Sequence, residues 1–139
     1  MSNEVLVSII TVAGSIFVAA ISYFLTKRQQ REALWRDSKL NHYKFLLQSI
    51  SDLAVDNTDI KAHQNFALAM NTLALVAPQK VVATMLAFHD GVKQSNKERS
   101  IELHDKLLAQ LLLEIRIDMK IKPKDDPKKF KYHLGGVPH

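Results

Sequence analysis

Residues 5–25 read VLVSIITVAGSIFVAAISYFL, and from Val5 to Leu25 there is no Asp, Glu, Lys, Arg or His. At about 1.5 Å per residue, a helix of this length spans about 30 Å, the thickness of a hydrocarbon core. The stretch is therefore predicted to be a transmembrane helix. A secretory signal peptide is the competing assignment, and Val18-Ala19-Ala20 offers it a small-residue cleavage site. Signal peptides carry positive charge ahead of the apolar run, whereas this leader is Met1-Ser2-Asn3-Glu4. The basic residues follow the run instead: Lys27, Arg28, Arg31, Arg36 and Lys39. The positive-inside rule then predicts a single-pass protein of a bacterial inner membrane, N-terminus outside and the remainder cytoplasmic. Lys27, Arg28 and Arg31 are the candidate contacts for anionic lipid, and Tyr23 and Phe24 fall at the inner headgroup level.

Within this segment the small and polar residues form a pattern. Ser8, Thr11, Ser15, Ala19, Ser22 and Thr26 recur at steps of three or four, which places them on one stripe of a helix. Lipid gives helices little hydrophobic reason to associate, so small and hydroxyl-bearing faces supply close packing and interhelical hydrogen bonds. The stripe is the candidate surface for self-association or for docking on another membrane protein. A sharper version has it lining a narrow polar path. Alternatively, each hydroxyl bonds back to its own helix and faces lipid.

Working outward, 139 residues leave room for one modest domain behind the anchor. With no Cys, disulfide frameworks, thiolate metal sites and cysteine catalysis are excluded. Only four Gly and four Pro argue against an all-β chain, which needs frequent turns. The expected class is all-α: an N-terminal transmembrane helix continuing into a small cytoplasmic antiparallel helical bundle. The expected divisions are an anchor over 1–26, a bundle over 27–121 and a basic extended tail over 122–139.

Between Gly14 and Ala77 there is neither Gly nor Pro, so nothing stops the first helix at the membrane surface. Leu34, Tyr43, Leu46, Leu47, Ile50, Leu53 and Ala54 continue it at helical spacing, to about Ala54. Asp56-Asn57-Thr58-Asp59 reads as a turn with an N-cap, starting a second helix near Ile60. Its predicted apolar face is Ile60, Phe66, Ala67, Met70, Leu73 and Ala74. Pro78 suits the first turn of a third helix bearing Val81, Val82, Met85, Leu86, Phe88 and Val92. Ser95-Asn96-Lys97-Glu98 matches a capping box and predicts a fourth helix from there, bearing Ile101, Leu107, Leu108, Leu111, Leu112, Ile115 and Met119. LEIRIDMKI, from Leu113 to Ile121, alternates with the period of a strand. A lone strand would have no partner for its backbone groups, so this stretch is expected to be helical.

Beyond Ile121, three Pro and two Gly break the pattern, and Lys120, Lys122, Lys124, Lys128, Lys129 and Lys131 outweigh Asp125 and Asp126. Such a tail is expected to be solvated. Alternatives are contact with anionic lipid, contact with nucleic acid (the weaker of these two) and packing along the bundle.

Catalytic signals are sparse. His89-Asp90 and His104-Asp105 are His-Asp dipeptides, and His63, His89, Asp90 and Asp118 invite comparison with metal-dependent phosphohydrolases of the HD family. The likeness amounts to a dipeptide and loose spacing. No Gly-rich phosphate loop, nucleophile elbow or paired-His zinc motif is present. The expectation is a non-enzyme with no cofactor and no metal site.

LLLEIRIDMKIKP, from Leu111 to Pro123, resembles a segment of small, little-characterised bacterial single-pass membrane proteins with a cytoplasmic helical domain. Leu111, Leu112, Arg116, Asp118 and the Lys122-Pro123 pair carry the likeness. Some proteins of that design accompany antiphage systems, including retrons, as membrane-acting effectors. The apolar run and its basic flank make membrane lipid an expected partner, and the resemblance implies antiviral defence as a setting. The leading expectation is an anchored helical protein-interaction module that self-associates or binds a membrane or cytoplasmic protein. A membrane-disrupting effector is the alternative.

Overall fold

The computed structural model describes residues 2–136, and among these the secondary structure is entirely helical. Four helices follow in order: α1 (Asn3–Val55), α2 (Ile60–Leu73), α3 (Gln79–Val92) and α4 (Ile101–Asp118). The alternating stretch after Leu113 lies in α4 and the turn that follows it, as the lack of a pairing partner requires. The chain divides into two compact units, up to Asp37 and from Ser38 onward, and α1 supplies helix to both. Every residue from 27 to 37, in the first of these units, is exposed. Leu34, expected on the core face, is 71% exposed, and Trp35 is also exposed.

The second unit holds the core. Tyr43, Leu46 and Ile50 of α1 meet Phe66, Ala69 and Leu73 of α2, Val81, Met85 and Phe88 of α3, and Leu108 and Leu111 of α4. The buried face of α2 is Ala62, Phe66, Ala69 and Leu73, rotated from the predicted one. Ile60, Ala67 and Ala74 are exposed, because the i, i+4, i+7, i+11 row that includes Phe66 and Leu73 contains none of them. Leu86 and Ile101 likewise point outward. Among the described residues Ser49 is the one buried polar residue, and its hydroxyl donates to the Leu46 carbonyl at 2.7 Å.

The helix ends follow the side-chain chemistry. Asp56 Oδ1 accepts from the Thr58 amide at 2.9 Å and from its hydroxyl at 2.6 Å, bonds that hold the carboxyl below its usual range. Asp59 then caps α2 by accepting from the Lys61 amide at 3.0 Å. Pro78 is the N-cap of α3, one residue before its first turn. The predicted capping box does not start α4. Asn96 captures that segment instead, accepting from the Glu98 amide at 3.1 Å and donating to the Gly91 carbonyl at 2.8 Å. Ser100 is the true N-cap, accepting from the Leu103 amide at 3.0 Å. Gly91 has a packing reason to lack a side chain: a Cβ there would stand 2.2 Å from Leu107 Cδ1. It lets α3 and α4 approach closely.

α4 closes with the Ile121 amide donating to the Arg116 carbonyl and the Lys120 amide to the Ile117 carbonyl, both at 3.1 Å. That Schellman pairing places Lys120 in the left-handed region, with φ 56°. A non-glycine residue there is disfavoured by about 1–2 kcal/mol. Lys120→Gly is therefore expected to raise stability by about 1 kcal/mol, read as a later denaturant midpoint with an unchanged slope.

The tail is irregular, as expected, but it is not solvated throughout. Leu134 is 5% exposed within the core, and Tyr132 packs against it. Arg116 grips Asp125 with two hydrogen bonds, Nε to Oδ2 at 2.7 Å and the second at 3.2 Å, and its guanidinium lies over the Phe130 ring. An apolar residue after the Pro-rich stretch was the available sign of this packing, and composition masked it.

Candidate functional site

In the N-terminal unit, α1 carries the predicted stripe. Ser8, Thr11, Ser15, Ala19, Ser22 and Thr26 are all helical and all exposed. The Ser8 hydroxyl donates to the Glu4 carbonyl at 3.0 Å, Thr11 to Val7 at 2.9 Å and Ser15 to Thr11 at 3.0 Å. These three therefore satisfy their donors within the helix, a state in which a hydroxyl can face lipid. Ser22 and Thr26 make no side-chain hydrogen bond among the described residues. The large apolar residues of this segment are also exposed, including Ile16 at 65% and Phe17 at 67%. α1 is long and apolar enough in this part to cross a membrane, and none of that part is buried. Of the predicted lipid contacts, Lys27 sits over the Tyr23 ring at 5.7 Å, while Arg28 pairs with Glu32 at 3.4 Å across one exposed turn. Arg31 is exposed.

In the second unit, an open cleft of about 870 Å³ is bordered by His63, His89 and His104. Phe66, Phe88, Val92 and Leu134 supply apolar lining. The imidazoles are held by their surroundings. His63 Nε2 lies 2.7 Å from the Asn57 carbonyl, His89 stacks on Phe66 with centroids 6.0 Å apart, and His104 meets Phe88 edge-on at 5.2 Å. These histidines are far apart in the sequence; their meeting in one cleft depends on how α2, α3 and α4 pack, which no local spacing reveals.

The structure does not bring the residues of the phosphohydrolase comparison into one set: His63 and His89 border the cleft, whereas Asp118 lies with Lys39 and Tyr43. His89 and His104 face their own neighbours, Asp90 at 3.5 Å and Asp105 at 3.3 Å. Asp118 is engaged elsewhere, and among the described residues no group of three or more His, Asp or Glu is placed to hold a metal ion. What the cleft offers is an apolar floor with hydrogen-bonding groups at its rim, which suits docking.

Asp118 belongs to a separate cluster. Its carboxylate accepts from Lys39 Nζ at 3.1 and 3.0 Å and from the Tyr43 hydroxyl at 2.5 Å, joining α1 to α4. The Lys39 and Asp118 side chains are 15% and 11% exposed. Burial, and then the hydrogen bond and negative charge of Asp118, push the Tyr43 hydroxyl well above its ordinary pKa. A raised folded-state value stabilises the fold below the unfolded tyrosine value near 10, and that contribution is lost as pH rises above it. Tyr43→Phe should cost about 1–2 kcal/mol at neutral pH by removing a hydrogen bond to a charged group. The difference from the unaltered chain should shrink above pH of about 10. Denaturant titrations of both chains at several pH values check this.

Comparison with known family models, curated proteins and solved structures finds no match to this chain.

Proposed function

We propose that this chain is a non-enzymatic, single-pass protein of a bacterial inner membrane, N-terminus outside, whose helices from Ser38 onward form an antiparallel cytoplasmic bundle. On this reading the bundle is a protein-interaction module, and the anchor assembles the chain with copies of itself. The observation that carries it is the uncharged run from Val5 to Leu25, whose large apolar side chains are exposed along the whole segment. Among the described residues nothing covers them, and a bilayer supplies the apolar surroundings they require. The basic residues immediately after the run support the orientation. The histidine-bordered cleft is the natural seat for a partner, because it combines apolar lining with polar groups that fix orientation.

Gentle extraction from native membranes, followed by mass measurement and identification of components, tests this reading. A complex at a multiple of 15.8 kDa is expected, shifting toward monomer when Ser22→Leu and Thr26→Leu remove the two uncommitted hydroxyls. A strictly monomeric chain with no companion protein would overturn the assembly claim. The effector alternative gains its place only if the unaltered chain makes cells leak ions and the same two replacements stop the leak.

A further inference from the structure

The charge of the second unit is unevenly placed. Residues 38–119 carry nine Lys or Arg and nine Asp or Glu, and so are neutral overall. Residues 120–131 carry six lysines against Asp125 and Asp126. The entire positive excess of the unit therefore sits in twelve residues. Both acids are turned to internal work. Asp125 is held by Arg116, and Asp126 organises its own turn by accepting from the Lys128 amide at 3.0 Å. Lys120, Lys122, Lys124, Lys128, Lys129 and Lys131 are all exposed, and among the described residues none has an ion pair. The segment is held at its middle by the Arg116–Asp125 pair and just past its end by Leu134 in the core, so the lysines are displayed on an anchored loop.

We infer that this loop is a second membrane contact, an electrostatic docking surface for the anionic lipid headgroups of the bilayer. The inference rests on reading α1 as an anchor. The covalent chain between Leu25 and Ser38 confines the second unit to within about 50 Å of a membrane, since extended chain spans at most about 3.6 Å per residue. A weak surface attraction then acts at high effective concentration. The loop's chemistry favours lipid over nucleic acid. Its aromatic residues are turned inward, Phe130 against Arg116 and Tyr132 against the core, and so offer no stacking platform for bases. The loop contains no Arg, the residue suited to bidentate phosphate and base recognition. What remains is a set of hydrated point charges, which suits a diffuse anionic surface.

The absence of Cys lets Pro127→Cys, at an exposed site in the middle of the lysines, carry a single fluorescent label in the full chain. The chain is placed in nanodiscs of phosphatidylcholine alone, or one-third phosphatidylglycerol, each with a headgroup-linked quencher. Quenching should rise with phosphatidylglycerol and vanish at about 0.5 M salt, where the screening length falls well below about 10 Å. Lys128→Gln, Lys129→Gln and Lys131→Gln together should weaken the contact about a hundredfold, at about fivefold per lysine. Equal quenching in both lipids, or no effect of the triple replacement in a chain with unchanged helical content, would overturn the inference. So would protection of the label by single-stranded RNA with no response to phosphatidylglycerol. Resistance of the chain to alkaline extraction reports on the anchor separately. If it fails, the same label read with added phosphatidylglycerol vesicles still decides whether the loop binds them.

Discussion

Asp118→Ala is expected to lower the stability of the second unit by about 3 kcal/mol, the largest loss among its polar residues. Removing the carboxylate leaves Lys39 Nζ and the Tyr43 hydroxyl without the acceptor that both now share. An ammonium that is 15% exposed and loses this carboxylate faces a desolvation penalty that water only partly relieves. The value falls at the low end of the range for buried pairs because neither partner is fully enclosed. A shape-matched apolar replacement of the whole cluster, Lys39→Met with Asp118→Leu and Tyr43→Phe, should recover most of the loss, since no charge is then stranded. Denaturant unfolding of the single and triple variants makes the comparison. A single variant as stable as the unaltered chain would show that the cluster carries no strain on removal.

The second large effect concerns the anchor. A dozen large apolar residues between Val5 and Leu25 favour insertion by about 0.3–0.6 kcal/mol each, or about 5 kcal/mol together. An arginine near the helix centre opposes it by about 3 kcal/mol. Val12→Arg with Ile16→Arg should therefore cancel insertion, moving the chain from the membrane pellet to an alkali-extractable fraction. The core begins at Tyr43, so the unfolding midpoint of the second unit should not move. If the double variant remains as resistant to alkali as the unaltered chain, the segment is held to the membrane by something other than its own hydrophobicity.

The sequence announced the helices well because the signals are local. Asp59 as a cap, Pro78 before α3 and the period of Leu46 and Ile50 each depend on residues within one or two turns. The helical reading of the stretch after Leu113 also held, because a strand without a partner is physically untenable. The start of α4 was misplaced for a competing local reason, since Asn96 offers both an acceptor and a donor to the backbone around it. The features that needed the fold were invisible. His63, His89 and His104 meet only when three helices pack, and Asp118 finds Lys39 and Tyr43 across a separation of more than seventy residues. The tail misled for a different reason: its lysines dominate the composition, while a single leucine, Leu134, fixes it to the core.

Topology is the most direct test of the central claim, that Val5–Leu25 spans the membrane once with the N-terminus outside. Alkaline phosphatase, active only outside the cytoplasm, and a green fluorescent protein that fluoresces only within it are fused in turn to each end of the chain. The account requires phosphatase activity from the N-terminal fusion alone and fluorescence from the C-terminal fusion alone. Fluorescence from both ends, with neither phosphatase fusion active, would contradict it.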